Sequence, residues 1–465
     1  MVKREGRSLF IREGFPTGDL HAAIGPEPFR AGWIWDGESL TVETDRFGLQ
    51  PLFYRQDGNS IGVSFTIDPL RRSGDEFDWT ALGLFFRLAF FLDNDTPFRA
   101  IRRVPADTVL RWKEGILTME SRPRPAVRSY TGSREKAMDT YIEVFRESLK
   151  ELIGRFPGMA ISCPLSGGRD SRHIMLELAR MGAPVHAYTL DVDNANDAPV
   201  ASPLCAQYGV PHTIVPMAPL TLAAAEWMNS SSQYSTLEHR WLIAMVDAVP
   251  AGVLLDGVAG DVLSAGHFSG ERILSQFRQS RLEELAEELL MDDEAIRMLL
   301  QPWLYAKMSR QEARQRLVKE LARHVDTPSP VASFFLANRT RRVAALTGTC
   351  LYGNCQGLMP FLLDPVYDFL FTLPGEMTVD FQLHTDTLAR AFPECRHPYS
   401  QKHKGRTERL FMAEGLRESR HWGGIVNRGA SLARLLRGCF DGPYSLRSDW
   451  LVSIPHYLHQ IGVGR

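Results

Sequence analysis

The chain has 465 residues, of which 44% are hydrophobic and 23% are charged, and its formal net charge at pH 7 is −2. This length allows two or three domains with substantial cores, and the balanced charge argues against nucleic acid or an anionic membrane as a partner. The six cysteines include no Cys-x-x-Cys pair, which argues against a zinc site and a disulfide framework and favours a cytoplasmic location. The N-terminus lacks the apolar segment of a secretory signal, and the most apolar run, 82–92, is too short to cross a bilayer.

Residues 1–128 are rich in short β-prone runs and form the first predicted domain. Asp-Gly pairs between the runs predict turns, and the apolar run is predicted to be a buried helix over 79–92. A further strand is predicted at 108–112, and the proline-rich stretch 123–126 is predicted to be the linker out of this domain. The earlier predicted strands are 33–35, 40–44, 52–55 and 61–65.

Residues 129–465 form the second predicted domain, with a core over about 135–270 and a mostly helical part over 271–465. Apolar strands alternate with helices in the core, which predicts an α/β fold with a parallel sheet covered on both faces. Ligands of such sheets bind at the carboxyl ends of the strands. The predicted strands are 158–163, 185–190, 213–216 and 252–256, and the predicted helices are 136–156, 174–181, 202–208, 223–228 and 239–249.

One stretch of this core, 164–173, carries the strongest functional signal. An apolar strand leads into the string Ser-Gly-Gly-Arg-Asp-Ser, and a helix follows it. Glycines let the backbone approach a ligand closely, and the N–H groups at the start of a helix favour an anion. Asp170 would repel a phosphate there unless a divalent cation lay between the two charges. The stretch therefore predicts a nucleotide-phosphate loop with a metal-binding carboxylate, and the alternative is a glycine turn needed only for packing.

The string Ser-Gly-Gly-x-Asp-Ser after an apolar strand resembles the pyrophosphatase loop of ATP-dependent ligases that release AMP and pyrophosphate, and no Walker lysine follows it. Other segments resemble the asparagine synthetase superfamily. The resemblance implies a glutaminase-like, Ntn-hydrolase-type α+β first domain and a synthetase second domain that uses ATP and Mg²⁺. The segments are 44–55 and 96–105 in the first domain, and 254–266 and 359–374 in the second.

The same resemblance implies a set of site residues in the second domain. Asp170 and Asp261 would supply two carboxylates for Mg²⁺. Lys402 and Lys404 are candidates for neutralising pyrophosphate, with a solvated basic surface as the alternative. Two leucines would flank the adenine ring, with plain core packing as the alternative. The nucleotide-binding candidates are Leu165, Ser166, Gly167, Gly168, Asp170, Ser171, Leu190, Asp197 and Gly257.

Two departures from the family concern the amine half of the reaction. The family's glutaminase uses a cysteine at the mature N-terminus, whereas Val2 stands here and the first cysteine is Cys163 in the other domain. The first domain is therefore predicted to be a degenerate, non-hydrolytic support in which Arg46 is structural. Val258 stands where asparagine synthetases place a Glu, and valine cannot move a proton. Asp256 is the nearby catalytic candidate, with a role in forming the turn as the alternative.

The sequence thus predicts an ATP-dependent ligase that adenylates a small-molecule or peptide carboxylate and transfers it to ammonia or to a substrate amine. The alternatives are a macrolactam- or β-lactam-forming cyclase similar to lasso-peptide cyclases, and a non-catalytic nucleotide-binding scaffold. A sulfur-transfer or tRNA-modifying enzyme is disfavoured because the chain has no basic stripe and no paired cysteines. His173 is predicted to be a packing or capping residue, and Tyr352 and Glu394 are general-base candidates. The oligomeric state stays open, a homodimer included.

Overall fold

The computed structural model describes residues 2–5, 8–11, 20–191, 197–216, 222–235, 243–264, 270–290, 294–344, 355–395, 399 and 448–463. Strands in these ranges form three five-stranded sheets, two of them antiparallel and one parallel. The α/β fold class predicted from the sequence is therefore confirmed. No helix in the described ranges is both long and apolar enough to cross a membrane.

The two antiparallel sheets lie in the first part of the chain. Their strands are β1 (Val2–Glu5), β2 (Ser8–Ile11), β3 (Leu20–Ile24), β4 (Ala31–Trp35), β5 (Ser39–Glu43), β6 (Phe53–Asp57), β7 (Ser60–Ser64), β8 (Arg102–Arg103), β9 (Thr108–Lys113) and β10 (Ile116–Ser121). The strand orders are β1-β2-β7-β6-β8 and β10-β9-β5-β4-β3. Every second side chain of β4 is buried, because one face of its sheet covers an apolar cluster shared by both sheets. The sequence predicts β4, β5, β6, β7 and β9 but misses the other five.

Helix α1 (Trp79–Leu88) follows these strands and is buried along almost its whole length. The Asp78 carboxylate accepts a hydrogen bond from the backbone N–H of Ala81 and thereby caps the start of the helix. The predicted helix over 79–92 extends too far, because Ala89 adopts a left-handed conformation with φ of 72° and ends it.

The parallel sheet consists of β11 (Ile161–Pro164), β12 (Val185–Asp191), β13 (His212–Pro216), β14 (Gly252–Leu255) and β15 (Cys355–Leu358), in the order β13-β12-β11-β14-β15. Four of these strands are predicted from the sequence. β15 is missed, because its run Cys-Gln-Gly-Leu has neither β-branched residues nor alternation. From β11 the chain adds β12 and then β13 on one side of the sheet. It then returns to add β14 and β15 on the other side of β11. A ligand cleft is therefore expected above the carboxyl ends of β11 and β14.

Helices cover this sheet, and further helices follow its strands along the chain. The helix predicted over 202–208 begins earlier in the structure, at Asp197. Pro203 therefore lies inside the helix and not in its first turn. The helices of the core are α2 (Arg134–Gly154), α3 (Asp170–Arg180), α4 (Asp197–Tyr208), α5 (Leu222–Ser231), α6 (Ile243–Ala248) and α7 (Gly260–Leu263).

The described residues between 270 and 344 contain helices and no named strand, as predicted. The later helices are α8 (Glu271–Arg278), α9 (Leu282–Leu289), α10 (Glu294–Leu299), α11 (Pro302–Lys307), α12 (Arg310–Ala322), α13 (Pro330–Phe335), the π-helix Leu336–Ala344, α14 (Asp364–Thr372), α15 (Gly375–Thr378), α16 (Gln382–Ala391) and α17 (Ser448–Ile461). Short 3₁₀ turns lie at Asp68–Leu70, Pro360–Leu362 and Val379–Phe381.

The π-helix connects the helical part to the antiparallel sheets. Arg341 and Arg342 in this helix are buried, and both donate hydrogen bonds to backbone carbonyls of the first part of the chain. The two parts are thus joined by buried polar contacts, and the domain boundary between 128 and 129 stays a prediction. The acceptors are the carbonyls of Gly48, Asp93 and Val104 for Arg341, and those of Asp93 and Asp95 for Arg342.

Arg46 makes a second connection between the two parts. Its guanidinium pairs with Asp364 at 2.6 Å and with Asp368, both on α14. It also lies 4.5 Å from the centre of the Tyr367 ring. These contacts fit the structural role predicted for Arg46.

Candidate functional site

The loop between β11 and α3 gathers backbone N–H groups around oxygen atoms. The N–H of Ser166 donates to Ser171 Oγ at 3.0 Å, and the N–H of Gly168 donates to Ser166 Oγ at 3.2 Å. Between them, the N–H of Gly167 donates to Asp197 Oδ1 at 2.8 Å. Three consecutive amides thus donate to side-chain oxygens of the protein, and a phosphate bound at this loop would take the place of those acceptors.

The start of α3 adds to this anion-binding character. The helix begins at Asp170, and no side chain of the preceding Arg169 caps it. Uncapped N–H groups and the positive end of the helix dipole favour an anion. The loop is anchored to β12 because the N–H of Leu165 donates to the carbonyl of Tyr188 and the Thr189 hydroxyl donates to the carbonyl of Leu165, both at 2.7 Å.

The turn from β14 into α7 approaches this loop closely because two of its residues are glycines. A Cβ atom on Gly257 would lie 2.9 Å from Asp170 Cβ, and one on Gly260 would lie 2.7 Å from Asp170 Oδ1. Ala259 between them has a left-handed φ of 72°, a conformation that alanine rarely adopts. Asp261 follows directly and is therefore brought to the same end of the sheet as Asp170.

Three carboxylates meet at this edge of the sheet. Burial is the main cause that raises the pKa of Asp256 to about 6. The negative charges of Asp170 and Asp261 act in the same direction, while the N–H of Val258 donates to Asp256 Oδ1 at 3.2 Å and opposes them. The carboxylates are thus close enough to repel one another, and a cation would relieve that repulsion.

This donor set fits Mg²⁺ held jointly with a nucleotide. Mg²⁺ takes one or two protein carboxylates and fills its other positions with phosphate oxygens and water. Within the described ranges, no group of three or more His, Cys, Asp or Glu side chains is arranged as a metal centre made by the protein alone. The glycines at 257 and 260 bring the turn that carries Asp261 against Asp170, and the sharing of one ion by the two carboxylates stays a prediction.

The two leucines predicted to flank adenine lie in the apolar core. Leu165 is 1% exposed and Leu190 is 7% exposed, and each packs in a buried cluster. Their proposed contact with adenine stays a prediction, and their present contacts are those of core residues. Asp197, predicted to bind the nucleotide, is the first residue of α4 and holds the Gly167 N–H.

Other predicted candidates cannot be placed at the site. Lys402, Lys404 and Tyr352 lie outside the described residues. Glu394 is exposed, and its carboxylate accepts a hydrogen bond from the Tyr208 hydroxyl at 3.0 Å. The roles of all four stay predictions.

Two arginines beside the loop are absent from the set of residues that sequence reasoning singled out. Arg169 and Arg172 lie on the ring of Tyr399, each with its guanidinium carbon 4.3 Å from the ring centre. Arg169 also donates through Nε to Thr385 Oγ1 at 2.7 Å. Burial lowers the pKa of Arg172. The only signal in the sequence is the position of Arg169 inside the loop string.

A buried histidine pair lies behind Asp170. His173, predicted to pack or cap, stacks on Phe145 with ring centres 4.1 Å apart and also faces His384, Nδ1 to Nε2, at 3.2 Å. Burial lowers the pKa of His173 well below its usual range. His384 lies 3.2 Å from Asp170 Oδ1 through its Nδ1. It belongs to no sequence motif, so only the fold reveals it.

The two residues that mark the departures from the family in the amine half have little chemistry to offer. Val258 packs against the apolar core. Cys163 is fully buried in β11, and burial raises the pKa of its thiol, so it is a poor nucleophile. The 162 residues before it contain no cysteine.

A glycine loop at the start of a helix, placed where a parallel sheet reverses its order and faced by carboxylates, is typical of α/β proteins that bind nucleotides. The family described as asparagine synthase matches residues 144–382, just over half of the chain. The chain belongs to the asparagine synthase family.

Comparison with curated proteins gives no match. Among solved structures, the chain has some similarity to the glutamine phosphoribosylpyrophosphate amidotransferase of B. subtilis in complex with ADP and GMP, with 11% identity over 40% of this chain and 47% of that one. It is similar to the same degree to an allosteric regulatory enzyme of purine biosynthesis, with 10% identity over 41% of this chain and 48% of that one. The chain thus spans about half the length of both. Both TM-scores are 0.15, too low to bear on the fold or the function of this chain.

Proposed function

We propose that the protein is an AMP-forming amide ligase that activates a carboxylate with ATP and then joins it to an amine. In this reaction the substrate carboxylate attacks the α-phosphorus of ATP and pyrophosphate leaves. The amine then attacks the acyl carbon of the adenylate, loses a proton, and AMP leaves. The loop 166–171 would hold the phosphates, and Asp170 with Asp261 would hold Mg²⁺. Bound Mg²⁺ would neutralise charge on the phosphate oxygens.

The observation that carries this proposal is the meeting of two loops at the reversal point of the sheet. One loop offers the amides of Ser166, Gly167 and Gly168, and the other brings Asp261 towards Asp170. Donors for phosphate and carboxylates for a cation therefore lie side by side. Stabilisation of charge by fixed donors is a major source of rate enhancement in such transfers.

The amine is proposed to be ammonia or an amino group of the substrate itself. No cysteine precedes Cys163, so the first 162 residues have no thiol with which to hydrolyse glutamine. Val258 cannot act as a base, and Asp256 is the ionisable side chain that lies nearest to it in the same turn. If the amine belongs to the substrate, the product is a lactam or macrolactam.

The decisive experiment measures pyrophosphate and AMP formation from ATP and Mg²⁺ against a panel of amino acids, other carboxylates and peptides with a free carboxylate. We expect at least one of them to yield AMP and pyrophosphate, and Asp170→Asn to lower that rate about 100-fold or more. Asp139→Asn is the matched control, because Asp139 pairs with Arg390 on the surface and lies outside the site.

Two results would contradict the proposal. Formation of ADP and phosphate instead of AMP and pyrophosphate would exclude adenylation. Binding of ATP with no carboxylate-dependent product in the whole panel, and with Asp170→Asn equal to the wild type, would favour the scaffold. Hydrolysis of glutamine by the wild-type protein would overturn the assignment of the first domain as non-hydrolytic.

A further inference from the structure

A network of buried polar side chains lies directly behind Asp170. His384 Nδ1 is 3.2 Å from Asp170 Oδ1 and 3.1 Å from Ser264 Oγ, and its Nε2 is 3.2 Å from His173 Nδ1. Tyr141 donates through its hydroxyl to Ser264 Oγ at 3.1 Å. His384, His173, Tyr141 and Ser264 are all fully buried. Buried polar groups in such a network hold one another in a single arrangement.

The network has one favourable direction for its protons. Burial keeps His173 neutral. If His173 Nδ1 carries its proton, it donates to His384 Nε2, and the proton of His384 then lies on Nδ1, where it can be donated to Ser264 Oγ while the same nitrogen lies 3.2 Å from Asp170 Oδ1. The reverse arrangement would set a bare ring nitrogen against that carboxylate, and it would give His173 Nε2 a proton for which the described residues offer no acceptor. The first arrangement is therefore the stable one.

Through Ser264, His384 also contacts the turn that carries Asp261. Ser264 donates to the carbonyl of Gly260 at 2.8 Å, so its hydroxyl is free to accept the His384 Nδ1–H. Gly260 begins α7, which carries Asp261. His384 thus touches the residue that starts α3 and, through Ser264, the turn that starts α7. It is the described histidine that joins the two elements on which Asp170 and Asp261 lie.

We propose that His384 is a positioning residue, which is held by Ser264 and packs with its Nδ1 against the Asp170 carboxylate, so that it fixes this carboxylate relative to the turn that carries Asp261. This inference rests on the function proposed above. Partners of this kind orient the groups that bind a metal, and their loss typically costs 10- to 100-fold in metal affinity. The effect of His384 therefore belongs to metal binding and not to binding of the nucleotide base.

The test measures the concentration of Mn²⁺ or Mg²⁺ that half-saturates the complex with α,β-methylene ATP, by electron paramagnetic resonance and by calorimetry. We expect His384→Leu to raise it 10- to 100-fold. His384→Asn keeps an N–H donor near the place of Nδ1 and is expected to return it to within about threefold of the wild type. Nucleotide binding without metal should change less than about threefold in either variant.

His324→Leu is the matched control. His324 is another buried histidine, bound to Glu320 and Ser333 in the helical part. It should lower the melting temperature without changing the metal concentration. An unchanged metal concentration in His384→Leu would overturn the inference, as would an equal rise in His324→Leu or a failure of His384→Asn to restore binding. Asp170→Asn separates the two proposals, because metal binding that does not depend on Asp170 would overturn the proposed function itself.

Discussion

At the scale of single residues, the site contains a carboxylate, that of Asp256, whose ionised form is destabilised by its surroundings. Asp256 is partly buried next to Asp170 and Asp261, and its pKa is raised from 3.8 to about 6, with burial as the main cause. A raised pKa in an acid means that the folded state binds the proton more tightly than the unfolded state. Folding stability is therefore lost as the pH rises from about 4 to 6, and the cost is fully present above pH 6.

Replacing Asp256 by asparagine should remove this cost. Asp256→Asn keeps an oxygen for the Val258 N–H, and in EDTA at pH 7.5 it should raise the free energy of unfolding by roughly 2 kcal/mol. The gain should shrink towards pH 4, where both forms are neutral. Urea denaturation at several pH values measures it, and Asp139→Asn on the surface should give no such pH-dependent gain. A variant less stable than the wild type at pH 7.5 would contradict the prediction.

At the scale of elements, the site depends on how closely the β14–α7 turn approaches α3. No space for a side chain remains at Gly260, where a Cβ would lie 2.7 Å from Asp170 Oδ1 and 2.8 Å from Phe361 Cε2. Phe361 is fully buried and cannot move aside easily. The turn and the helix therefore fit together only with a glycine at this position.

Gly260→Ala should therefore cost both stability and metal binding. Overpacking of this kind typically costs 1–3 kcal/mol, so we expect a loss of about 2 kcal/mol in the free energy of unfolding and weaker Mg²⁺ binding with the nucleotide analogue. Gly154→Ala is the control, because nothing lies within 4 Å of a Cβ at the end of α2, and it should be neutral or slightly stabilising. Equal melting temperatures for the two variants would show that the turn adapts.

At the scale of the whole molecule, arginines hold the antiparallel sheets to the rest of the chain. Arg342 is 1% exposed and donates to the backbone carbonyls of Asp93 and Asp95. Nearby, Arg316 of α12 pairs with the buried Asp95 carboxylate. A buried cation of this kind is costly to place and even more costly to remove, because its carbonyl partners stay buried.

Arg342→Met should accordingly destabilise the protein by about 3 kcal/mol, because the buried carbonyl of Asp95 loses the Arg342 donor and the carbonyl of Asp93 keeps only its longer bond from Arg341. Arg111 offers a contrast, since it pairs with Glu120 on the surface and is about half exposed. Arg111→Met should change the free energy of unfolding by less than about 0.5 kcal/mol. Thermal and urea unfolding of the two variants, followed by circular dichroism, test the difference, which would be absent if the junction contributes nothing.

The sequence predicts the parts of this structure whose signals are local. The loop 166–171, four strands of the parallel sheet and helix α2 follow from glycines and apolar periodicity. The carboxylates at 170 and 261 follow from a family motif. β15 and the arginines of the π-helix do not, because β15 has neither β-branched residues nor alternation and the partners of the arginines lie far away along the chain. His384 is missed for the same reason, since its partners Asp170, His173 and Ser264 lie more than a hundred positions earlier in the chain.

Helix α1 has a consequence for the synthesis of the protein. Its aromatic face is covered by α17, where Tyr457 lies 5.0 Å from the ring of Phe85 and 5.7 Å from that of Phe86. These elements stand near opposite ends of the printed sequence, and translation proceeds at about 5–20 residues per second. The face of α1 therefore emerges from the ribosome some tens of seconds before its cover exists. We therefore expect the aromatic face of α1 to stay uncovered by α17 on the nascent chain during that interval.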